Sequence, residues 1–353
     1  MIELDDGSLL ASNDPQGFIH SVEHLVDQLA EGWELGRDLA ATRDGAGLRS
    51  IAVFGVGGSG ICGDVLKVVL GSSSPLMVEV CRGYGVPGWV GPDTLVFAVS
   101  YSGRTEETLE AYEQARQAGA RIVVVTTGGP LAELGRRHGL PIALLRDGLQ
   151  PRAALGLMLT AMLGVCESLG LGDYDSDVQE TAALIKRRAI EYGSTRPTDQ
   201  NRAKQLAAYM VGLLPVVYGS EGLAQVAAYR WKCQFNECAK TNAYSNFFSE
   251  LNHNEIMGWS PSGIAPPMKP AVVVLRHCGE HPRIQDRISI TLPLIADRLG
   301  VVEEVWAEGN SELARVMDLI YLGDFVATYT ALAQGIDPCG VDLIDEVKRR
   351  LSI

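Results

Sequence analysis

The residues at 100–108, Ser-Tyr-Ser-Gly-Arg-Thr-Glu-Glu-Thr, are of types that suit the binding of a small anion. They follow an apolar, β-branched run and precede a stretch with helical spacing, so we expect a turn between a strand and a helix. In such a turn the hydroxyls of Ser100, Ser102 and Thr105 lie near the free N–H groups of the first helical turn, and Gly103 permits a close approach. The stretch therefore predicts a phosphate-binding turn.

The same stretch has a simpler interpretation. Ser102 or Thr105 could cap the helix, with Glu106 or Glu107 complementing the positive end of its dipole. The residue pattern alone leaves both interpretations open.

A glycine-rich turn at 55–60 follows an apolar run at 51–54. Its spacing, Gly-x-Gly-x-x-Gly, matches the dinucleotide fingerprint, and Glu79 falls near the distance expected of an acid that binds a ribose. Ser59 adds a hydroxyl at the end of a strand that neighbours the one before Ser100. Because two hydroxyl-bearing turns suit a terminal phosphate better than a pyrophosphate, we favour a phosphate site and keep a nicotinamide-dependent enzyme as an alternative.

The strands and helices that position these turns alternate along the first half of the chain. Five apolar runs predict strands, at 51–54, 75–81, 94–99, 121–126 and 141–145. Helical spacing fills most of the gaps, a helix is expected at 15–39, and a nearly wholly apolar one at 155–169. Alternation of this kind predicts a parallel sheet covered by helices on both faces.

The second half of the chain repeats this order approximately. A strand at 215–218 enters a second glycine turn at 219–222, and further strands are expected at 271–275 and 302–306. Helices are expected at 283–299, 313–332 and 341–351. We therefore predict an α/β fold of two tandem, doubly wound parallel-sheet domains with flanking helices.

A polar stretch at 174–202 predicts the junction between the two domains. On this basis residues 1–45 form an N-terminal helical segment, 46–190 the first domain and 191–353 the second. The length of 353 residues also favours two domains over one.

The composition is that of an ordinary globular protein, with 46% hydrophobic and 21% charged residues. A net charge of −13 disfavours a nucleic-acid partner or an anionic membrane surface, since both need a basic face. Seven scattered cysteines without Cys-x-x-Cys indicate neither a disulfide framework nor a zinc cluster. No signal peptide is evident and no apolar run approaches about 18 residues, so we expect a cytoplasmic protein.

Two side chains in the second half suit proton transfer. Glu237 lies in a helical run beside Trp231, and a carboxylate partly shielded by apolar rings suits removal of a carbon-bound proton. Its alternative is an ion pair with Lys232 or Lys240. His253 lies in a polar stretch, where an imidazole either carries a proton during ring opening or is an ordinary surface histidine.

Other titratable side chains are weaker candidates. Glu250 and Glu255 are the alternative carboxylates if Glu237 is not the base. The remaining histidines show no ligand spacing that predicts a metal site, so no metal is expected; they are His20, His24, His138, His277 and His281.

Six short motifs together resemble those of the bifunctional phosphoglucose/phosphomannose isomerase family, whose members are built from two sugar isomerase (SIS) domains. The motifs lie at 57–60, 100–108, 236–237, 250–255, 323–324 and 337–338. The resemblance implies metal-independent, cofactor-free isomerisation of glucose 6-phosphate, and in the family also mannose 6-phosphate, to fructose 6-phosphate through a cis-enediol. It also implies a homodimer with shared active sites.

The resemblance implies a role for each matching residue. The phosphate-binding residues would be Gly58, Ser59, Ser100, Ser102 and Thr105. Glu237 would move the proton between C1 and C2, and His253 would assist ring opening from across the dimer interface. Arg152 would stabilise the enediolate, and Lys348 would reach the substrate. A surface ion pair is the alternative for Arg152, and a solvated basic helix end is the alternative for Lys348.

Two positions depart from the family pattern. Arg104 stands where the family usually has asparagine, and Cys339-Gly340 stands where relatives commonly carry a threonine associated with mannose 6-phosphate. Isomerase chemistry is therefore a firmer expectation than dual specificity. A non-catalytic sugar-phosphate sensor, which would bind fructose 6-phosphate without hydrogen exchange at C1 and C2, is the principal alternative.

Overall fold

The computed structural model describes residues 3–39, 45–71, 74–260, 262–263 and 268–351. Within these residues the strands are numbered in chain order: β1 Ser50–Phe54, β2 Met77–Cys81, β3 Thr94–Val99, β4 Arg121–Thr126, β5 Ile142–Leu144, β6 Leu214–Ser220, β7 Tyr244–Phe248, β8 Pro270–Arg276 and β9 Val301–Trp306. The α-helices are α1 Gly7–Asn13, α2 Phe18–Glu23, α3 Leu25–Leu39, α4 Gly58–Gly71, α5 Glu106–Gln117, α6 Gly129–Arg137, α7 Leu155–Ser168, α8 Asp175–Tyr192, α9 Arg202–Met210, α10 Leu223–Glu237, α11 Pro282–Ile295, α12 Glu312–Ala333 and α13 Asp342–Leu351.

The chain divides into two compact units. The N-terminal unit contains His24–Lys186 and Asn310–Ala314, and the C-terminal unit contains Met1–Glu23, Arg187–Gly309 and Arg315–Ile353. The sequence-based domain limits at 46 and 191 stay a prediction.

The sheet of the N-terminal unit has the order β2-β1-β3-β4-β5, and every pairing is parallel. Residues of β1 and β3 are buried throughout, as expected of strands covered on both faces. The chain leaves β1 for β2 on one side and then crosses to β3 on the other. The loops after β1 and β3 therefore begin side by side at the point where the strand order reverses, which is where open α/β sheets bind ligands.

The sheet of the C-terminal unit has the order β7-β6-β8-β9, again with parallel pairings. Its strand order reverses between β6 and β8. Val216, Tyr218, Val272 and Val274 of these central strands form its core with Phe248. The two tandem α/β units and the parallel sheets confirm the predicted fold class.

Three details of the predicted elements were wrong. The helix expected at 15–39 is two helices, α2 and α3. The polar stretch at 174–202, for which no helix was predicted, contains the 18-residue helix α8. The loop after α8 is fixed because the Asn201 amide donates to the carbonyls of Tyr192 and Gly193, at 2.9 and 3.1 Å.

The third error is strand β7, which periodicity did not predict. It lies at the edge of its sheet and is mostly half-exposed, so its residues show neither an apolar run nor a clear alternation. One helix of the described residues, α12, is long and apolar enough to cross a membrane by length and composition. Its apolar window is entirely buried inside the protein, as in the core helix of a globular protein.

Candidate active site

The loop after β1 reaches the segment that carries Arg152. A Cβ atom at Gly58, the first residue of α4, would lie 2.9 Å from the carbonyl oxygen of Pro151 and 3.2 Å from the Cα of Arg152. Only glycine therefore allows this approach without displacing the backbone. Arg152 belongs to the short 3-10 helix Pro151–Ala153 and is buried, with 3% of its surface exposed. This burial does not fit the surface position that the alternative interpretation of Arg152 assumed.

Ser59 lies beside the end of β3. A Cβ atom at Gly55 would lie 3.1 Å from both the Ser59 Cβ and the Val99 carbonyl oxygen, which places these groups around one glycine. Ser59 is buried, and its hydroxyl donates to the sulfur of Met158 at 3.5 Å. To donate to a phosphate instead, this hydroxyl must rotate away from the sulfur, and its phosphate role remains a prediction.

The turn after β3 brings hydroxyl groups together. The Oγ of Ser100 and the Oγ1 of Thr105 are hydrogen-bonded at 2.8 Å, and the Thr105 N–H donates to the Ser100 Oγ at 3.4 Å. Ser102 is exposed, and its Oγ accepts from the Arg104 N–H at 3.3 Å. A Cβ atom at Gly103 would lie 1.8 Å from the Gly128 carbonyl oxygen, so glycine is required at that position.

The first turn of α5 is not capped by Thr105, one of the two side chains to which the alternative interpretation gave this role. Thr105 occupies the N-cap position but makes no side-chain capping bond. Its hydroxyl instead pairs with Ser100, as described above. The N-terminal N–H groups of α5 can therefore serve an anion, although Glu106 and Glu107 lie in the same turn.

Arg104 is exposed, and its guanidinium makes no hydrogen bond or ion pair with any described residue. Its cation thus lies at the edge of the serine-rich turn, unpaired with any carboxylate that the structure describes. Glu79, the acid that the dinucleotide alternative would use to bind a ribose, instead forms an ion pair with Lys67 at 2.8 Å.

Glu237 is the last residue of α10 and is half-buried. The Nζ of Lys240 donates to its main-chain carbonyl at 2.6 Å. The Glu237 charge is also close enough to Arg230 to contribute to raising the pKa of that guanidinium, although burial opposes the rise and Asp324 contributes more to it.

The polar stretch around His253 forms two short 3-10 helices, Glu250–His253 and Glu255–Trp259. His253 is exposed, and its ring has no hydrogen bond within the described part of the chain. The alternative carboxylates are engaged: Glu250 accepts from Asn254 at 2.5 Å, and Glu255 accepts from Tyr218 and Asn246.

Two residues near the C-terminus differ in burial. Lys348 of α13 is largely exposed, and its Nζ lies 4.0 Å from Asp345. Cys339 is buried, and its N–H donates to Asp337 at 2.8 Å.

Among the described residues, one group could hold a metal by distance: Asp14, Asp337 and Cys339 have potential ligand atoms within 4.8 Å of one another. The Asp14 carboxylate already accepts from the N–H groups of Phe18 and Ile19, at 2.7 and 2.8 Å. These bonds cap the N-terminus of α2, which accounts for the position of Asp14 without a metal ion.

Sequence reasoning missed two buried polar pairs in the C-terminal unit. Arg230 of α10 forms a bidentate pair with Asp324 of α12, at 2.9 and 3.0 Å. Ser220, at the end of β6, bonds to His277, just after β8, at 3.0 Å. The motif at 323–324 was a signal for Asp324, but its partner Arg230 lies 94 residues away in the chain. The second glycine turn was a signal for Ser220, whose partner His277 lies 57 residues away.

Comparison with known proteins agrees with this architecture. Residues 47–142 match the model of the SIS domain, and residues 199–351 match that of the bacterial phospho-glucose isomerase C-terminal SIS domain. A glucose-6-phosphate isomerase like protein from Thermus thermophilus shares the fold, with a TM-score of 0.61 at 21% identity, covering 99% of both chains. The protein is thus a double SIS-domain protein of the phosphosugar isomerase fold.

Similarity to curated proteins narrows this class. The chain is 39% identical over 334 residues to a bifunctional phosphoglucose/phosphomannose isomerase of Caldicellulosiruptor bescii, covering 94% of this chain and 98% of the relative. It is 35% identical to the enzyme of the same name from Thermoplasma acidophilum, covering 86% of this chain and 90% of the relative. The chain belongs to the bifunctional phosphoglucose/phosphomannose isomerase family. Membership in an enzyme family confirms the predicted isomerase class over the sensor and the nicotinamide-dependent enzyme.

Proposed function

We propose that this enzyme interconverts glucose 6-phosphate and fructose 6-phosphate, and that it also accepts mannose 6-phosphate. The Ser100–Thr105 hydroxyl pair at the uncapped start of α5, in a chain of this family, is the observation that carries the proposal. Glucose and mannose 6-phosphates differ only at C2, so both yield the same enediol, and return of the proton to either face of C2 gives either sugar.

The phosphate-binding groups follow from the two loops of the N-terminal unit. Ser100, Ser102 and Thr105 would donate hydroxyl bonds, together with the N–H groups of α5, and Gly58 and Ser59 would approach from the loop after β1. Several neutral donors and a helix N-terminus suit a dianionic phosphate without needing a buried cation.

The chemistry would be a proton transfer within the substrate. Glu237 would take the proton from C2 and return it to C1, while the hydroxyl proton moves from O2 to O1, so the reaction needs no redox cofactor. Arg152 would stabilise the enediolate oxygens, because a guanidinium stays protonated and offers several donors. His253 would carry the ring-oxygen proton during opening, and Lys348 would contact the substrate.

The same proposal covers assembly and location. We infer a homodimer in which His253 acts in the partner's site, which its exposed ring without a described partner supports. We also infer a cytoplasmic enzyme without nucleic-acid or membrane partners, which the net charge of −13 supports.

The test of the proposed base is solvent exchange. In deuterated water, NMR of glucose, mannose and fructose 6-phosphates should show interconversion with deuterium incorporated at C1 and C2. Glu237→Gln should bind fructose 6-phosphate yet lose turnover by about 1,000-fold or more, because an amide cannot accept the carbon-bound proton.

Glu250→Gln is the matched control, since that carboxylate is the neighbouring alternative and is already bound by Asn254. We expect it to keep most of its activity. Near-normal turnover in Glu237→Gln would refute the assignment of the base. If the wild-type enzyme converts glucose 6-phosphate but not mannose 6-phosphate, the proposed acceptance of mannose 6-phosphate is wrong.

A further inference from the structure

The sheet of the C-terminal unit has polar side chains at its own point of strand reversal. Ser220 is the last residue of β6, and His277 directly follows β8, the neighbouring strand. The Ser220 Oγ and the His277 Nε2 are 3.0 Å apart, and the two residues are only 4% and 9% exposed. In the N-terminal unit, the corresponding position holds the serine-rich turn.

A cation, Arg315, contacts the residue that follows His277 and forms no ion pair with a described carboxylate. The Nη1 of Arg315, on α12, donates to the Cys278 sulfur at 3.2 Å, and no described carboxylate lies within ion-pairing distance of Arg315. The nearest acid to His277, Glu280, is already taken: it accepts from Arg276 at 2.9 Å and from the His277 N–H at 3.3 Å. Arg276 also pairs with Glu304.

Two buried polar atoms here have no hydrogen-bond partner within the described ranges. The Nε of Arg315 and the Nδ1 of His277 are both buried without a hydrogen bond among the described residues. A buried donor left unpaired destabilises the protein, so such atoms usually serve a ligand or an ordered water. Acceptor oxygens of a ligand bound beside His277 and Cys278 would give both atoms a partner.

The protonation state of His277 favours this arrangement. Burial lowers its pKa to about 4, and the charges of Arg315 and Arg276 contribute. The ring is therefore neutral at pH 7. When the Ser220 hydroxyl donates to Nε2, the single ring proton must sit on Nδ1, which makes Nδ1 a donor.

The N-terminus of helix α10 adds a partial positive charge near this pair. Helix α10, 15 residues long, begins at Leu223, and its N-cap Gly222 has no side chain to accept from the free N–H groups. The Gly222 N–H itself donates to Gln225 at 3.3 Å. The exposed Glu221 is the acidic residue in this turn.

We propose that Ser220, His277 and Arg315 form a second oxyanion site, which takes a phosphate group. An arginine fork, a neutral imidazole donor and a helix N-terminus together supply several donors, which is the pattern that recognises phosphate. The ligand is free inorganic phosphate or the phosphate of a sugar phosphate. This site is independent of the residues assigned to catalysis.

Cys278 provides a local reporter for this site. It is the exposed cysteine among seven free ones, and its sulfur accepts from Arg315. Alkylation by iodoacetamide, followed for the Cys278 peptide by mass spectrometry, should slow about threefold or more and saturably as inorganic phosphate is added at constant ionic strength, because a bound anion disfavours the thiolate. A parallel titration with fructose 6-phosphate shows whether a sugar phosphate also occupies the site.

Variants separate this site from the active site. Arg315→Gln should abolish the phosphate effect on Cys278 while isomerase activity persists, and Ser102→Ala should leave the effect unchanged. Ser220→Ala should raise the phosphate concentration needed for half-protection, and it keeps the test decisive if Arg315→Gln does not fold.

Three results would overturn the proposal. An alkylation rate that does not respond to phosphate would mean that the unpaired atoms hold only water. Equal protection in wild type, Arg315→Gln and Ser220→Ala would place the anion elsewhere. Loss of protection in Ser102→Ala would trace the effect to the serine-rich turn of the N-terminal unit.

Discussion

At the scale of single residues, Gly58 sets the distance between the loop after β1 and the segment that carries Arg152. A methyl group at this position meets the Pro151 carbonyl oxygen at 2.9 Å, so Gly58→Ala must push the Arg152 segment away. We expect a loss of about 1–3 kcal/mol in the free energy of unfolding, measured by urea denaturation, and a higher KM for sugar phosphate. Gly71→Ala, at the other end of α4 with no atom within 4 Å, should change stability by less than about 0.5 kcal/mol.

A second prediction at the residue scale concerns His277 and the pH dependence of stability. Burial, with the charges of Arg315 and Arg276, lowers its pKa from 6.5 to about 4 in the folded protein. Between about pH 6.5 and pH 4, this histidine is therefore protonated in the unfolded chain but not in the folded protein. The free energy of unfolding consequently falls as the pH falls through this window. After allowance for solvent screening, His277→Gln should remove about 2 kcal/mol of this pH dependence.

The measurement for His277 is urea denaturation at pH 4.5 and pH 7.5, comparing the loss of stability in each protein. His24→Gln, at an exposed histidine, is the control and should keep the wild-type pH dependence. An unchanged slope in His277→Gln would mean that this ring titrates normally.

At the scale of elements, a buried ion pair joins α10 to α12. Arg230 and Asp324 are 1% and 6% exposed, and Gln234 also donates to the Asp324 carboxylate at 2.9 Å. Asp324→Asn removes the carboxylate that pairs with this buried guanidinium, so we expect a loss of about 3 kcal/mol in thermal or urea denaturation. The exposed pair Arg283–Asp286 has a similar distance, 2.9 Å, and Asp286→Asn should cost less than about 0.5 kcal/mol. Equal losses in both variants would contradict this dependence on burial.

At the scale of the whole molecule, the proposed exchange of His253 between subunits predicts complementation. Glu237→Gln and His253→Ala should each be nearly inactive alone. If each site takes Glu237 from one subunit and His253 from the other, half of the dimers in an equal, re-equilibrated mixture carry one intact site, and activity should return to about a quarter of wild type. A mixture as inactive as its components would show that the two residues act within one subunit.

Local patterns in the sequence were sufficient to predict most of the strands and both glycine turns. The strands β3 and β4 begin and end where the apolar runs at 94–99 and 121–126 do. Burial on both faces leaves an uninterrupted apolar signal in such strands, and glycine and serine mark the turns that follow. The edge strand β7 was not predicted, because partial exposure weakens its periodicity. The helix α8 was not predicted, because its polar composition indicated a domain junction.

The sequence by itself determined the fold class, the family and the serine-rich turn, because each depends on residues close together in the chain. Only the tertiary structure decided that Thr105 pairs with Ser100 instead of capping α5, that Gly58 adjoins Arg152, and that His277 meets Ser220. The residues of the last two contacts lie far apart in the chain. Which side chains meet across such separations depends on strand order and on how closely backbones can approach, and neither leaves a local pattern in the sequence.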